Sequence, residues 1–337
     1  MGNYKTIELF AGAGGMAIGF ERAGFEPILL VEKDKNACRT LKANRPQWPI
    51  FQGDVTLADY SNLKPDAVTG GFPCQSFSHA GKRLGLEDTR GTLFYEFARC
   101  IKETSPKFFL GENVHGLMTH DNGRTFKTVL GVLSDLGYYV EYRLLDSSEF
   151  GVPQKRKRLI IIGVNKNLNI GFKWPEKEFP PLTLRDALKD CPSSQCVSYS
   201  EKKTKVLELV PPGGNWRNLP VTIAKEYMGK SYYNNSGGRT TYAKRLSWDE
   251  PCLTILCSPA QMQTERCHPD ETRPLSIRES ARIQTFPDDW FFEGSVSSQY
   301  KQIGNAVPVE LAYRLAISIK KTLSGNHIES ETLFGKI

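Results

Sequence analysis

The sequence has no apolar run long enough to cross a bilayer. Its longest aliphatic stretch, Leu159 to Val164, falls far short of the about 20 residues a spanning helix needs. It has no internal repeat and no low-complexity tract, which excludes solenoid and fibrous architectures. None of its eight cysteines forms a CxxC pair. Cys252, Cys257, Cys267 and His268 invite a zinc reading, but their spacings of x4 and x9 do not suit one, and no metal is expected. Eight cysteines in 337 residues are not a disulfide framework, and Met1 to Phe10 lack a positive-then-apolar secretory pattern. A cytosolic protein is expected. No charge sign dominates: 44 Lys and Arg against 37 Asp and Glu leave a net charge of +7. With 39% hydrophobic and 24% charged residues, the chain is neither disordered nor membrane-spanning, and its length allows one large domain and a smaller one.

The first half alternates short β-type runs with helical stretches. Strands are expected at Thr6 to Phe10, Pro27 to Val31, Ala67 to Thr69, Lys107 to Leu110, Tyr138 to Leu145 and Leu159 to Val164. Helices are expected up to Ala23 and near Lys35 to Asn44, Phe94 to Glu103 and Thr125 to Leu136. This is the pattern of an α/β, doubly wound, mostly parallel sheet. After about Trp174 the chain is richer in Pro, Gly, Ser and Asn and loses the alternation, so a smaller domain of irregular and β structure is expected at 181–298. The large domain then comprises 1–180 and 299–337, with a final helix from Pro308 to Leu323 that buries one apolar face.

The loop Phe10-Ala11-Gly12-Ala13-Gly14-Gly15 lies between a strand and a helix, where glycines let the backbone turn and approach a ligand. It departs from a strict GxGxxG dinucleotide fingerprint, which disfavours a hydride-transferring dehydrogenase. Glu32 ends the second strand about 20 residues beyond Gly12, where a carboxylate can bind both ribose hydroxyls, and Asp54 suits an adenine amino group. Taken singly, either acid could equally be a loop or helix cap. Two acids and no Lys or Arg in the loop favour an adenosyl ligand without phosphate, S-adenosylmethionine.

Cys74, after Pro73 and a pair of glycines at a strand's carboxyl end, sits in a rigid loop where open α/β sheets place ligands. An ordinary thiol is already a few per cent thiolate near neutral pH, which makes it a competent soft nucleophile. Glu112 and Asn113 end the next apolar strand and should emerge on the same sheet edge. Gln154, Arg156 and Arg158 precede and enter another strand, and alternation should point them together.

These motifs together resemble the C5-cytosine-specific DNA methyltransferase family of bacterial restriction-modification systems, in the family's order and over nearly the whole chain. The resemblance rests on Phe10 to Gly15, Glu32, Gly53-Asp54, Pro73-Cys74-Gln75, Arg90 to Phe94, Glu112-Asn113-Val114, Gln154 with Arg156 and Arg158, and Gln302 to Asn305. It implies Cys74 as nucleophile, Glu112 as acid, and Arg156 and Arg158 as active-site arginines. It also implies Phe10, Gly12, Gly14, Glu32, Asp54, Pro73, Leu93 and Asn305 as contacts of S-adenosyl-L-methionine, which leaves as S-adenosyl-L-homocysteine. The helix after Asn305 should return to the first domain and pack beside the first strand.

Such an enzyme adds the Cys74 thiolate to C6 of cytosine, so that C5 becomes an enamine carbon able to attack a sulfonium methyl. Glu112, as a carboxylic acid at N3, would relieve the charge on the ring, and an arginine would hold the base oxygen or a flanking phosphate. Attack perpendicular to the ring requires the base to be flipped out of the duplex. The basic, glycine-bearing stretch His79 to Leu84 is a candidate closing loop. Ser78, Lys82, Arg83, Arg239, Tyr242 and Arg245 are candidate DNA contacts, and the positive charge is expected to gather in a DNA cleft. The implied partners are double-stranded DNA and a cognate restriction endonuclease, with a monomer acting in the bacterial cytoplasm. A tRNA cytosine methyltransferase of the same fold and a non-catalytic DNA-binding relative are the rivals. The sizeable stretch between Gln154 and Gln302 speaks for DNA reading, and intact Cys74, Glu112 and Arg158 speak for catalysis.

Overall fold

Alternating strand and helix signals become a seven-stranded sheet in the computed structural model, which describes residues 4–73, 93–229, 240–261 and 265–325. In chain order the elements are β1 Tyr4–Leu9, α1 Gly15–Arg22, β2 Phe25–Glu32, α2 Lys35–Asn44, β3 Ile50–Gln52, β4 Ala67–Gly70 and α3 Leu93–Thr104. There follow β5 Phe108–Val114, α4 Gly116–Thr119, α5 Arg124–Asp135, β6 Tyr138–Asp146, β7 Gln154–Lys155 and β8 Lys157–Asn165. The sheet order is β3-β2-β1-β4-β5-β8-β6. Pairs among the first five strands are parallel, whereas β8 runs antiparallel to both β5 and β6. The segment between β6 and β8 is too short for the crossover that a parallel neighbour requires.

From β1 the chain winds outward to β2 and β3, then returns to β4 and winds the other way. The switch point therefore lies between β1 and β4, where ligands of open α/β sheets bind beyond the carboxyl ends. Ile7 and Leu9 of β1, Val68 of β4 and Phe109 of β5 bury one face of the sheet against Phe94, Phe97 and Ile101 of α3 and Val129 and Leu133 of α5.

Two compact units share the chain. The first comprises 1–150, 157–177 and 307–337, and the second 151–156 and 178–306. In the second, regular structure is mostly short helices: α6 Leu184–Leu188, α7 Glu201–Leu207, α8 Val221–Met228, α9 Ile277–Ile283 and α10 Val296–Asn305. The expected β content is small: among the described residues, β9 Cys252–Leu253 pairs in parallel with β7, and isolated bridges tie Cys267 to Arg245 and Pro274. Side-chain caps explain the helices. Thr183 with Asp186 and Ser276 with Glu279 form capping boxes, and the Ser200 and Ser295 side chains accept from Lys203 N and Ser298 N. A separate core of Leu207, Val210, Met228, Ala243 and Cys267 holds this unit.

The last helix, α11 Val309–Leu323, belongs to the first unit, and its partner there is α1, the helix that follows β1. Gly19 is required at this crossing, since a Cβ there would stand 2.6 Å from Ala312 Cβ and from Tyr313 N. Lys320 Nζ donates to the Ala23 carbonyl at 2.7 Å, which satisfies the carboxyl end of α1.

Candidate active site

The cofactor end is built from the loop after β1 and the carboxyl end of β2. Phe10, Gly12 and Gly14 all take left-handed backbone angles, with φ of 58°, 55° and 86°. A non-glycine residue at such an angle is held there by its surroundings, and such strain gathers at ligand sites. The Glu32 carboxylate fixes the turn. Its Oε2 accepts from Gly12 N at 2.7 Å, and its Oε1 accepts from Lys33 N at 2.8 Å and Asp34 N at 2.7 Å. A Cβ on Gly12 would meet nothing within 4 Å, so open room lies beside this turn.

Asp54 also caps. Its Oδ1 accepts from Thr56 N and Thr56 Oγ1 at 3.1 and 2.9 Å, while Oδ2 accepts from Lys33 Nζ at 2.8 Å. The Lys33 bond and then the Thr56 donors hold the Asp54 carboxyl at about 2, well below the usual range. Beneath the loop, burial and then the nearby Glu32 charge push the Glu8 carboxyl well above its ordinary value. The loop carries no Lys or Arg for phosphates, Gly12 leaves room, and the carboxyl groups of Glu32 and Asp54 lie at the ends of the next two strands. These residues fit an adenosyl ligand without phosphate.

The chemical end lies beyond β4 and β5. Cys74, Ser78, Lys82 and Arg83 lie outside the described residues, as does Arg239. The segment that leads into Cys74 is well anchored. Phe72 is buried between Phe94 and Phe97, with ring centroids 5.3 and 5.5 Å away, and Asn113 Nδ2 donates to the Phe72 carbonyl at 2.8 Å. The Glu112 carboxylate lies close against Gly71, where a Cβ would stand 3.1 Å from Oε2. Arg158 Nε lies 2.9 Å from Glu112 Oε1 in a pair whose side chains are only 14% and 13% exposed. The antiparallel register of β5 and β8, with Glu112 opposite Ile160 and Val114 opposite Arg158, makes this meeting possible. Pro73 is exposed, and Leu93 is half-buried at the start of α3.

A model of the C-5 cytosine-specific DNA methylase family matches residues 4–321. The chain belongs to that family. The methylase is 55% identical over 328 residues to Type II methyltransferase M.Eco47II of Escherichia coli, covering 94% of this chain and 78% of the relative. It is 54% identical over 334 residues to Type II methyltransferase M.PspPI of a Psychrobacter strain, covering 96% of this chain and 80% of the relative. A solved Escherichia coli prophage protein, described as a DNA modification methyltransferase, superposes with a TM-score of 0.70 at 25% identity, covering 95% of this chain and 99% of its own.

Three of the expected site residues of this methylase have other work. Arg156 is 1% exposed, and its guanidinium donates to the carbonyls of Gly304 at 2.8 Å, Ala306 at 3.1 Å and Ile255 at 3.4 Å. In this structure it is a buried strut of the second unit, spent on backbone carbonyls rather than turned to Glu112. Burial alternates as expected, with Gln154, Arg156 and Arg158 turned inward and Lys155 and Lys157 exposed, but the stretch is two strands, β7 and β8, parted at Arg156, and the three side chains find different partners. Gln154 shares the strut's network, donating to Gln284 Oε1 at 2.8 Å, while Gln284 Nε2 donates to the Ile303 and Ala306 carbonyls. Of the three, Arg158 is the one seen paired with Glu112.

Arg245, 4% exposed, donates to the Val210, His268, Pro269 and Leu207 carbonyls and to Thr272 Oγ1. Tyr242 is 5% exposed in the second unit's core. Neither presents its polar group as a free DNA contact, and Lys244 Nζ is likewise turned to the Gly213 carbonyl at 2.6 Å. Asn305 ends α10, and its Oδ1 accepts from the Cys257 thiol at 3.0 Å. Sequence reasoning missed the positioning roles of Asn113, Gln284 and Cys257. The only available signal was an amide next to Glu112.

Proposed function

We propose that this methylase transfers a methyl group from S-adenosyl-L-methionine to C5 of one cytosine in a specific short sequence of duplex DNA, leaving S-adenosyl-L-homocysteine. The observation that carries this reading most directly is the ion pair of Arg158 with Glu112 at the carboxyl end of the sheet, beside the anchored segment that leads into Cys74. Phe10, Gly12 and Gly14 form the turn against which the cofactor lies, with Glu32 at the ribose and Asp54 at the adenine amino group. Pro73, Leu93 and Asn305 are the remaining contacts in this reading. When bound, the cofactor supplies an electrophilic methyl group.

The protein's part is to make C5 nucleophilic. The Cys74 thiolate bonds to C6 as the C5–C6 π pair becomes enamine-like, and Glu112 shares a proton at N3 so that charge does not build on the ring. Arg158 holds Glu112 and adds positive field where the anion would develop. After methylation, loss of H5 to a base expels Cys74 and restores the ring. The cytosine must leave the stack first. That costs a few kcal/mol, within what several Lys or Arg phosphate contacts supply, and Ser78, Lys82, Arg83 and Arg239 are the candidates for those contacts.

The second unit is the target-recognition domain in this reading, and the enzyme works as a monomer in the bacterial cytoplasm, paired with a restriction endonuclease of the same specificity. Among the described residues no helix is long and apolar enough to cross a membrane. Transfer to tRNA is not favoured, since the family match and the relatives at 54–55% identity are DNA methylases and type II methyltransferases. Labelled methyl transfer decides between the two: counts are expected in duplex DNA containing the target and not in tRNA. Counts in tRNA alone would contradict the proposal.

A further inference from the structure

The Asp54 carboxylate is already occupied. Thr56 N and Oγ1 use Oδ1, and among the described residues the other donor on this group is the Lys33 ammonium, 2.8 Å from Oδ2. Lys33 is well placed to reach it. Its backbone N–H is fixed on Glu32 Oε1, while its side chain is 77% exposed. One residue thus joins both acids of the adenosyl site, by its backbone to one and by its side chain to the other. An ammonium is a stronger donor to a carboxylate than a neutral aromatic amine, so an adenine amino group seeking Oδ2 must displace or crowd it.

The geometry points to Lys33 as a latch that competes with the adenine ring for Asp54 and so sets the affinity of this methylase for its adenosyl ligand. The inference rests on the reading of Asp54 as the adenine contact. An exposed ion pair is weak, screened by salt and quickly broken, so the latch lowers affinity modestly and opens without a conformational change elsewhere. Its effect should be large enough to measure at low ionic strength and should fade as salt rises.

The test is calorimetric binding of S-adenosylhomocysteine to the full chain, which reads the site without turnover. Lys33→Met is expected to bind about two- to fivefold more tightly than the parent at about 0.05 M salt, and the gap should close toward about 0.5 M. Lys35→Met removes an equal charge two residues away and should track the parent, which separates the latch from a general field effect. Asp54→Asn should weaken binding, and adding Lys33→Met to it should change nothing further. If Lys33→Met binds no tighter than the parent, or if Lys35→Met tightens binding as much, the latch is wrong although Asp54 can still be the contact. If Asp54→Asn binds as the parent does, the reading of Asp54 fails and the latch with it.

Discussion

Replacing Cys74 by Ser should lower methyl transfer to duplex DNA by roughly a thousandfold or more, while binding of S-adenosylhomocysteine stays within about twofold of the parent. A serine hydroxyl at neutral pH is not ionised and is a poor soft nucleophile, so addition to C6 fails and C5 never becomes enamine-like. Cofactor affinity has a different origin: the Gly12 turn fixed by Glu32, and Asp54. The pair of measurements therefore separates the nucleophile from its binding site. Retained transfer in Cys74→Ser would mean that the reaction does not pass through a cysteine adduct.

The two arginines that the sequence places side by side should fail in opposite ways. Arg158→Ala removes the partner of Glu112 and the positive field beside it, and kcat should fall about a hundred- to a thousandfold, with a drop in the thermal midpoint smaller than that of Arg156→Ala because one nearly buried carboxyl rather than several carbonyls loses its partner. Arg156→Ala instead removes three donations inside the second unit, to the carbonyls of Gly304 and Ile255 and to that of Ala306, which keeps Gln284 Nε2. A buried group left unpaired costs about 1–3 kcal/mol, so the loss should total about 3 kcal/mol or more and appear as a clear drop in the thermal midpoint. Arg156→Lys should fall between, because a single ammonium cannot span the same carbonyls as a planar fork. Thermal unfolding beside steady-state kinetics checks both. Equal destabilisation by the two alanine variants would erase the distinction between strut and active-site arginine.

That contrast also marks where the sequence stops being readable. The winding of β1 to β5 was legible, because buried parallel strands are short apolar runs and their crossover helices carry a 3.6-residue period. The reversal at β8 was not, since an apolar run looks the same in either direction and only the length of the preceding connection decides. Glu112 and Glu32 were legible because each ends such a run, where side chains leave the sheet toward a ligand. Arg245 was misread for a physical reason. Arginines among Pro, Gly and Ser look like a solvated basic surface, but irregular segments leave carbonyls unpaired, and a five-donor guanidinium is the side chain best able to gather several at once. Short helices in the second unit were signalled by Thr183-x-x-Asp186 and Ser276-x-x-Glu279, a capping pattern that overall composition conceals.

Bisulfite sequencing of host DNA after expression of this chain tests the central claim most directly, because it reads the chemistry and the site together. The account predicts that one cytosine becomes resistant to conversion within a single short sequence wherever it occurs, in cells carrying the parent chain and not in cells carrying Cys74→Ser. Full conversion of all cytosines with the folded parent chain present, or the same protected positions with Cys74→Ser, would contradict it.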